Sequence, residues 1–121
     1  MDSGGAGRMQ ESFEGWLRGH GWKILDEHCD HDCVDVEAWH ADGARLLAEV
    51  QEDTADADRD LDTAYGRLLR RMDDNPGTRY AVVVPEGAVE AALRVSARVR
   101  GLLGVDLYAV GAGGAVRRLD G

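Results

Sequence analysis

The sequence is short of cysteine, of long hydrophobic runs and of positive charge. Its two cysteines, Cys29 and Cys33, are too few for a disulfide framework. The longest unbroken aliphatic run, Ala81 to Val84, is much shorter than a membrane-spanning helix requires. Residues 1–7 lack the apolar stretch of a secretion signal, so we expect a cytoplasmic protein with reduced thiols and no membrane partner.

Positive charge is scarce, because 14 Lys and Arg residues stand against 23 Asp and Glu residues, giving a net charge of −9. Such a chain has no bulk attraction to nucleic acid or to anionic lipid, so any nucleic-acid contact must be local. Residues 1–62 carry the acidic excess, and residues 63–121 are mildly basic. The acidic half is either a solvated surface or a source of carboxylates that converge on a metal ion.

The hydrophobic patterning predicts one α/β domain over residues 9–121, preceded by a flexible N-terminus over residues 1–8. Helical spacing of apolar residues covers residues 9–19, 56–72 and 88–103. Strand-like patterns cover residues 22–25, 33–39, 45–51, 80–84, 105–110 and 115–119, with a hairpin signal at Asp42-Gly43. This order predicts a mixed sheet flanked by helices, with an antiparallel meander followed by parallel crossovers.

Two of the helical patterns assign particular side chains to the core. The second helix is expected to bury Leu61, Ala64, Tyr65, Leu68, Leu69 and Met72. The third helix is expected to bury Val89, Ala92, Leu93, Val95, Val99 and Leu102.

Polar side chains on the second and third strands form the first candidate site. Asp35 lies on the second strand, and Glu49 and Gln51 share one face of the third. Because the hairpin joins these strands, the two carboxylates can meet, and with a backbone carbonyl they would suit Mg²⁺. A bound ion would lower the pKa of a water molecule and stabilise charge on a transferring phosphoryl group. Alternatively, Asp35 and Glu49 lie on the solvent face of the hairpin.

Asp35 followed by Glu49-Val50-Gln51, within a helix–strand–hairpin–strand–helix order, resembles the PD-(D/E)XK nuclease superfamily. The resemblance covers most of the chain and points to the restriction endonuclease-like and Holliday junction resolvase-like members. It implies a restriction endonuclease-like αβββαβ core, hydrolysis of DNA phosphodiester bonds, and Mg²⁺ or Mn²⁺ as cofactor. It also implies that Asp35, Glu49 and the Val50 carbonyl hold the metal and that Gln51 orients water.

The same resemblance assigns a further acid and identifies two departures. The upstream acid on the first helix would be Glu14, with Glu11 as the alternative. Val34 stands where the superfamily has proline, and Gln51 stands where it usually has lysine. Lysine offers a positive charge to the scissile phosphate, whereas glutamine offers a neutral amide. The alternative function is therefore a catalytically lapsed module that binds DNA or a protein.

Two further groups of residues could carry chemistry. His28, Cys29, His31 and Cys33 are zinc-ligand types, but no second Cys/His cluster exists to complete a tetrahedron. A polar loop is therefore the favoured interpretation, and a zinc shared between two subunits is the alternative. Arginines on the second and third helices would hold a phosphodiester backbone if they face the acids, or else complement the helix dipole. They are Arg67, Arg70 and Arg71, then Arg94, Arg98 and Arg100.

Aromatic residues and assembly complete the expectations. Trp39 and Tyr65 are large enough to stack on bases, although Tyr65 also fits the core stripe of its helix. By analogy with small nuclease-like domains that span a duplex as pairs, we expect a homodimer.

Overall fold

The fold is a six-stranded mixed sheet with helices on both faces, which confirms the predicted α/β class. The computed structural model describes residues 5–25, 34–51 and 56–120. The helices are α1 (Gly5–Gly19), α2 (Ala57–Arg71), α3 (Val89–Ala92) and α4 (Ala97–Leu103), with a 3₁₀ turn (Glu86–Ala88) before α3. The strands are β1 (Trp22–Ile24), β2 (Val36–His40), β3 (Arg45–Val50), β4 (Thr78–Pro85), β5 (Val105–Val110) and β6 (Val116–Leu119).

The strands lie in the sheet in their sequence order. Strands β1, β2 and β3 pair antiparallel, β3, β4 and β5 pair parallel, and β6 returns antiparallel to β5. The predicted meander, crossovers and last strand are therefore confirmed. The continuously apolar run Ala81 to Val84 lies in β4 with no exposed surface, as expected for a strand covered on both faces.

The alternation of side chains along the strands gives the sheet two cores. On one face, α1 packs Phe13 and Leu17 against residues that include Ala48 and Val83. On the other face, α2 and α3 pack Leu68 and other side chains against residues that include Leu47 and Val82. The face under α2 is the one that carries Glu49, because Leu47 and Glu49 are two residues apart on β3.

Local polar contacts fix the ends of the elements that carry the candidate site. In the β2–β3 turn, Asp42 Oδ1 accepts from Ala44 N at 2.9 Å, and Gly43 has φ +95°, which glycine adopts without strain. Asp56 caps α2, since its Oδ1 accepts from Arg59 N at 3.1 Å. These contacts define the turn between β2 and β3 and the start of α2.

The prediction of one helix over residues 88–103 is wrong. The helix is interrupted at residues 93–96. Ser96 caps the start of α4, because its side chain accepts a hydrogen bond from Val99 N at 3.2 Å. The backbone of Ser96 is extended (ψ 154°), so the two short helices do not share a continuous stripe. Val99 and Leu102, expected in the core, are instead exposed, Leu102 to 78%.

Two smaller differences concern the other helices. Helix α1 begins at Gly5, four residues before the expected start. Leu69 is half exposed because it lies at the edge of the α2 stripe, about 80° from Leu61 at 100° per residue. The segment with His28, Cys29, His31 and Cys33 lies outside the described residues, so the zinc hypothesis stays a prediction.

Candidate functional site

The strand register places Asp35, Glu49 and Gln51 on one face of the sheet. Val36 pairs with Ala48, so Asp35, one residue earlier, lies opposite Glu49. The two acids and Gln51 therefore share the face that α2 covers. Asp35 also contacts β3 directly, because its Oδ2 accepts from Val50 N at 2.8 Å. The structure thus brings the three predicted side chains together at the carboxyl end of β3.

Glu49 is the buried acid of the site. Its side chain is only 3% exposed. Burial, and after it the nearby charge of Asp35, raise the pKa of Glu49 from 4.5 to about 7. Arg67 and Arg71 oppose this rise. The site therefore contains a carboxyl group that changes its charge near neutral pH.

Two buried oxygens in the site have no hydrogen-bond partner in the described part of the chain: Glu49 Oε2 and Gln51 Oε1. The Gln51 side chain has a defined orientation, because its Nε2 donates to the Ala57 carbonyl at 3.1 Å and a carbonyl only accepts. Its Oε1 is therefore the end left without a partner. A buried acceptor without a donor costs about 1–3 kcal/mol, so both oxygens favour a bound cation or water.

The donor set fits a hard divalent cation. Asp35, Glu49 and Gln51 supply side-chain oxygens, and Mg²⁺ prefers oxygen ligands with several positions left to water and phosphate. Within residues 5–25, 34–51 and 56–120, no group of three or more His, Cys, Asp or Glu side chains is placed to hold a metal. The candidate centre therefore consists of two carboxylates and one amide.

Glu14 approaches the site only indirectly. Gln10 Nε2 donates to Glu14 Oε2 at 3.2 Å and to the Asp35 backbone carbonyl at 3.0 Å, so one glutamine links α1 to Asp35. Glu14 is half-buried and Glu11 is exposed, which favours Glu14 as the upstream acid. Its participation in the site stays a prediction.

The predicted arginines of α2 differ in their contact with the acids. Arg67 Nη1 is 3.5 Å from Glu49 Oε1 while its side chain is 60% exposed, so this guanidinium can also reach solvent or a phosphate. Arg71 acts electrostatically on Glu49, and Arg70 is exposed. Arg67 and Arg71 therefore provide positive charge beside Glu49.

The arginines predicted on the third helix do not lie together at the site. Arg94 Nη1 donates to both carboxylate oxygens of Asp58, at 2.9 and 3.0 Å. Arg100 is buried and donates to the carbonyls of Val95 and Leu119, which gives it a structural role in holding α4 to β6. The expectation that Arg100 could contact DNA is therefore wrong, while Arg98 is exposed on α4.

Two contacts at or near the site could not be found from the sequence. The Arg67–Glu49 ion pair and the Gln51–Ala57 hydrogen bond depend on where α2 crosses β3.

The only lysine, Lys23, lies on β1. Its partner in the strand register is Trp39, not either acid. The candidate centre therefore contains no lysine, which the superfamily that the sequence resembles usually has.

Comparison with known proteins identifies solved structures with a similar fold. No protein-family model matches the sequence, and no curated protein matches it. An XisH family protein from Nostoc punctiforme is similar in structure, with 14% identity, a TM-score of 0.61, and coverage of 92% of this chain and 98% of that one. An fdxN element excision controlling factor from Anabaena variabilis is also similar, with 14% identity, a TM-score of 0.64, and coverage of 92% and 96%. At this identity the likeness shows a shared fold over nearly the whole of each chain.

No helix among the described residues is both long and apolar enough to cross a lipid bilayer.

Proposed function

We propose that this protein is a metal-dependent nuclease that hydrolyses DNA phosphodiester bonds. The observation that supports the proposal most is a pair of buried oxygens, Glu49 Oε2 and Gln51 Oε1, on the same sheet face as Asp35 and with no hydrogen-bond partner among the described residues. One similar structure is named as an excision controlling factor, and a part in DNA excision or its control is the setting we propose for this activity.

Each residue of the centre has a distinct part in the proposed chemistry. Asp35, Glu49 and the Val50 carbonyl would hold Mg²⁺ or Mn²⁺, and the hydrogen bond from Val50 N keeps the Asp35 carboxylate beside β3. A divalent ion bound there lowers the pKa of a water molecule and offsets charge on the transferring phosphoryl group. Gln51, fixed by Ala57, presents Oε1 to orient the attacking water. Glu14 would support Asp35 through Gln10.

Arginines replace the missing lysine as the source of positive charge in this proposal. Gln51 is neutral, so the charge that a lysine would bring to the scissile phosphate must come from elsewhere. Arg67 lies nearest, at 3.5 Å from Glu49, and its exposed guanidinium can turn to a phosphate oxygen. Arg70 and Arg71 follow on the same helix and would position the phosphodiester backbone.

The test is cleavage of plasmid and branched DNA with Mg²⁺ or Mn²⁺. Asp35→Asn and Glu49→Gln keep the shape of each side chain and remove its charge, so both should abolish cleavage and weaken divalent-ion binding in calorimetry. Glu90→Gln removes an exposed carboxylate of α3 and is the matched control. Equal activity in the parent, Asp35→Asn and Glu49→Gln would refute the proposal.

A second candidate is a catalytically lapsed domain that binds DNA or a protein. The net charge of −9, Gln51 in place of lysine, and the ion pair of Glu49 with Arg67 favour it. Calorimetry that detects no divalent-ion binding, together with a measurable complex with DNA or a protein, would select this function. A homodimer is also proposed, by analogy with small nuclease-like domains, and sedimentation analysis tests it.

A further inference from the structure

The part of the sheet beyond α2 carries an exposed aromatic side chain. Lys23 pairs with Trp39, and Trp39 pairs with Arg45, so the three side chains form a row across β1, β2 and β3. This row lies on the same face as Glu49, because Arg45 and Glu49 are four residues apart on one strand. Among the described residues, the core under α2 includes no residue of β1 or β2. Trp39 is accordingly 44% exposed.

The Trp39 ring is held by a fixed cation. The Arg45 guanidinium carbon lies 5.6 Å from the centroid of the Trp39 ring, which is within cation–π range. Glu37 Oε2 accepts from Arg45 Nε at 2.8 Å and lies 2.7 Å from its Nη2. The Arg45 and Glu37 side chains are only 24% and 19% exposed, so the guanidinium has little freedom to leave the ring. Trp39 is thus a preorganised aromatic surface, supported by an Arg45 guanidinium whose charge Glu37 offsets.

Strand geometry sets the distance between this surface and the candidate centre. Trp39 follows Asp35 by four residues, and at 3.3 Å per residue their Cα atoms are about 13 Å apart. A stacked DNA strand rises 3.4 Å per nucleotide, so this distance corresponds to about four base steps, and fewer in an extended strand. A strand that is cleaved at the centre and runs along β2 would therefore pass Trp39 within a few nucleotides of the cut.

We propose that Trp39, supported by Arg45, stacks on an unpaired base of the DNA strand that is bound at the Asp35–Glu49 centre. This inference rests on the proposed function and gives it a substrate class, namely single-stranded DNA or DNA with unpaired segments. A base inside a duplex has both of its π-faces covered, whereas an unpaired base offers one to an aromatic side chain. Lys23 leaves the row with a net positive charge, because Glu37 offsets the charge of Arg45. Because the chain is strongly acidic, it has no general attraction to a duplex, so local stacking contributes a larger share of the binding free energy.

The test is fluorescence anisotropy with a fluorescein-labelled single-stranded oligonucleotide and with its duplex, at low salt in EDTA so that no hydrolysis occurs. The parent should bind the single strand more tightly than the duplex. Trp39→Ala should weaken single-strand binding about tenfold, which corresponds to 1.4 kcal/mol, and leave duplex binding unchanged. Trp39→Phe keeps an aromatic face and should retain most of the affinity. Leu102→Ala, at the most exposed large apolar residue of α4, is the control and should bind as the parent does.

Three results overturn the inference: equal single-strand affinity in the parent and Trp39→Ala, a preference of the parent for duplex, or an equal loss in Leu102→Ala. Urea unfolding of Trp39→Ala and Trp39→Phe separates lost stacking from a loosened hairpin. Only a loosened hairpin lowers the urea concentration at the unfolding midpoint. Cleavage assays with Asp35→Asn then separate the two proposals. Trp39-dependent binding without cleavage by the parent refutes the nuclease and leaves stacking intact. Cleavage with no effect of Trp39→Ala on binding refutes stacking alone.

Discussion

Replacing Glu49 with glutamine should remove a pH dependence of folding stability that the buried carboxyl group creates. Burial raises the pKa of Glu49 from 4.5 to about 7 in the folded protein. Between these pH values the unfolded chain releases the proton while the folded chain keeps it, so stability falls as pH rises. At 1.36 kcal/mol per pH unit, the full loss is about 3 kcal/mol, complete about one unit above pH 7. Below pH 4.5 this contribution to stability is fully present.

The measurement is urea unfolding of the metal-free protein and of Glu49→Gln at intervals from pH 4 to pH 8.5. The amide mimics the protonated acid, so the difference in unfolding free energy between parent and variant isolates Glu49 from the other titrating groups. We expect that difference to grow by about 3 kcal/mol in favour of the variant as pH rises. Saturating Mg²⁺ should reverse the loss in the parent only, since a cation binds the ionised carboxylate. Parallel pH profiles for the two proteins would refute the reasoning.

The remaining predictions concern packing, capping and the ion pair of the site. Phe13→Ala empties a fully buried position under α1 and should cost about 3–5 kcal/mol in urea unfolding; a loss below 1 kcal/mol would contradict the packing described. Ser96→Ala removes the α4 cap and should cost about 1 kcal/mol, whereas Ser96→Gly should cost only a few tenths. Arg67→Gln removes a cation beside Glu49, so the pH midpoint of the Glu49 transition should move above 7; an unchanged midpoint would mean that the 3.5 Å pair has no effect in solution.

Periodicity in the sequence was sufficient for most of the fold. The stripe of α2 and the apolar run of β4 are strong local signals, and both elements form where the pattern places them. The residues 88–103 also carry a helical pattern, but Ser96 in its middle is a better cap than an interior helix residue, and the chain breaks there. Apolar spacing alone does not reveal this interruption, because the preference of Ser96 for a cap position is a separate signal that has to be weighed against the spacing.

The candidate site, like the fold, could be predicted only in part from the sequence. A period of two along β2 and β3, together with the Asp42-Gly43 turn, is enough to place Asp35 and Glu49 on one face. The sequence does not reveal that Glu49 is buried, because burial results from α2 packing over β3, which is a tertiary arrangement. The pairing of Glu49 with Arg67 and the fixed orientation of Gln51 have the same origin. Electrostatic properties of the site therefore required the three-dimensional structure.

Gln51 stands where the superfamily that the sequence resembles usually has lysine, and this difference affects how charge is arranged around the proposed centre. A lysine on β3 would neutralise the acids permanently from within the sheet, whereas here the nearest cation, Arg67, comes from α2 and pairs loosely with Glu49 at 3.5 Å. A divalent cation at Glu49 would repel that guanidinium, and the 60% exposure of the Arg67 side chain leaves it room to move outward. Metal binding and phosphate binding would then be coupled, because the same event that fills the acidic centre releases an arginine to a phosphodiester. In the proposed mechanism a neutral residue at position 51 would be compatible with catalysis, because the neighbouring helix would supply the positive charge.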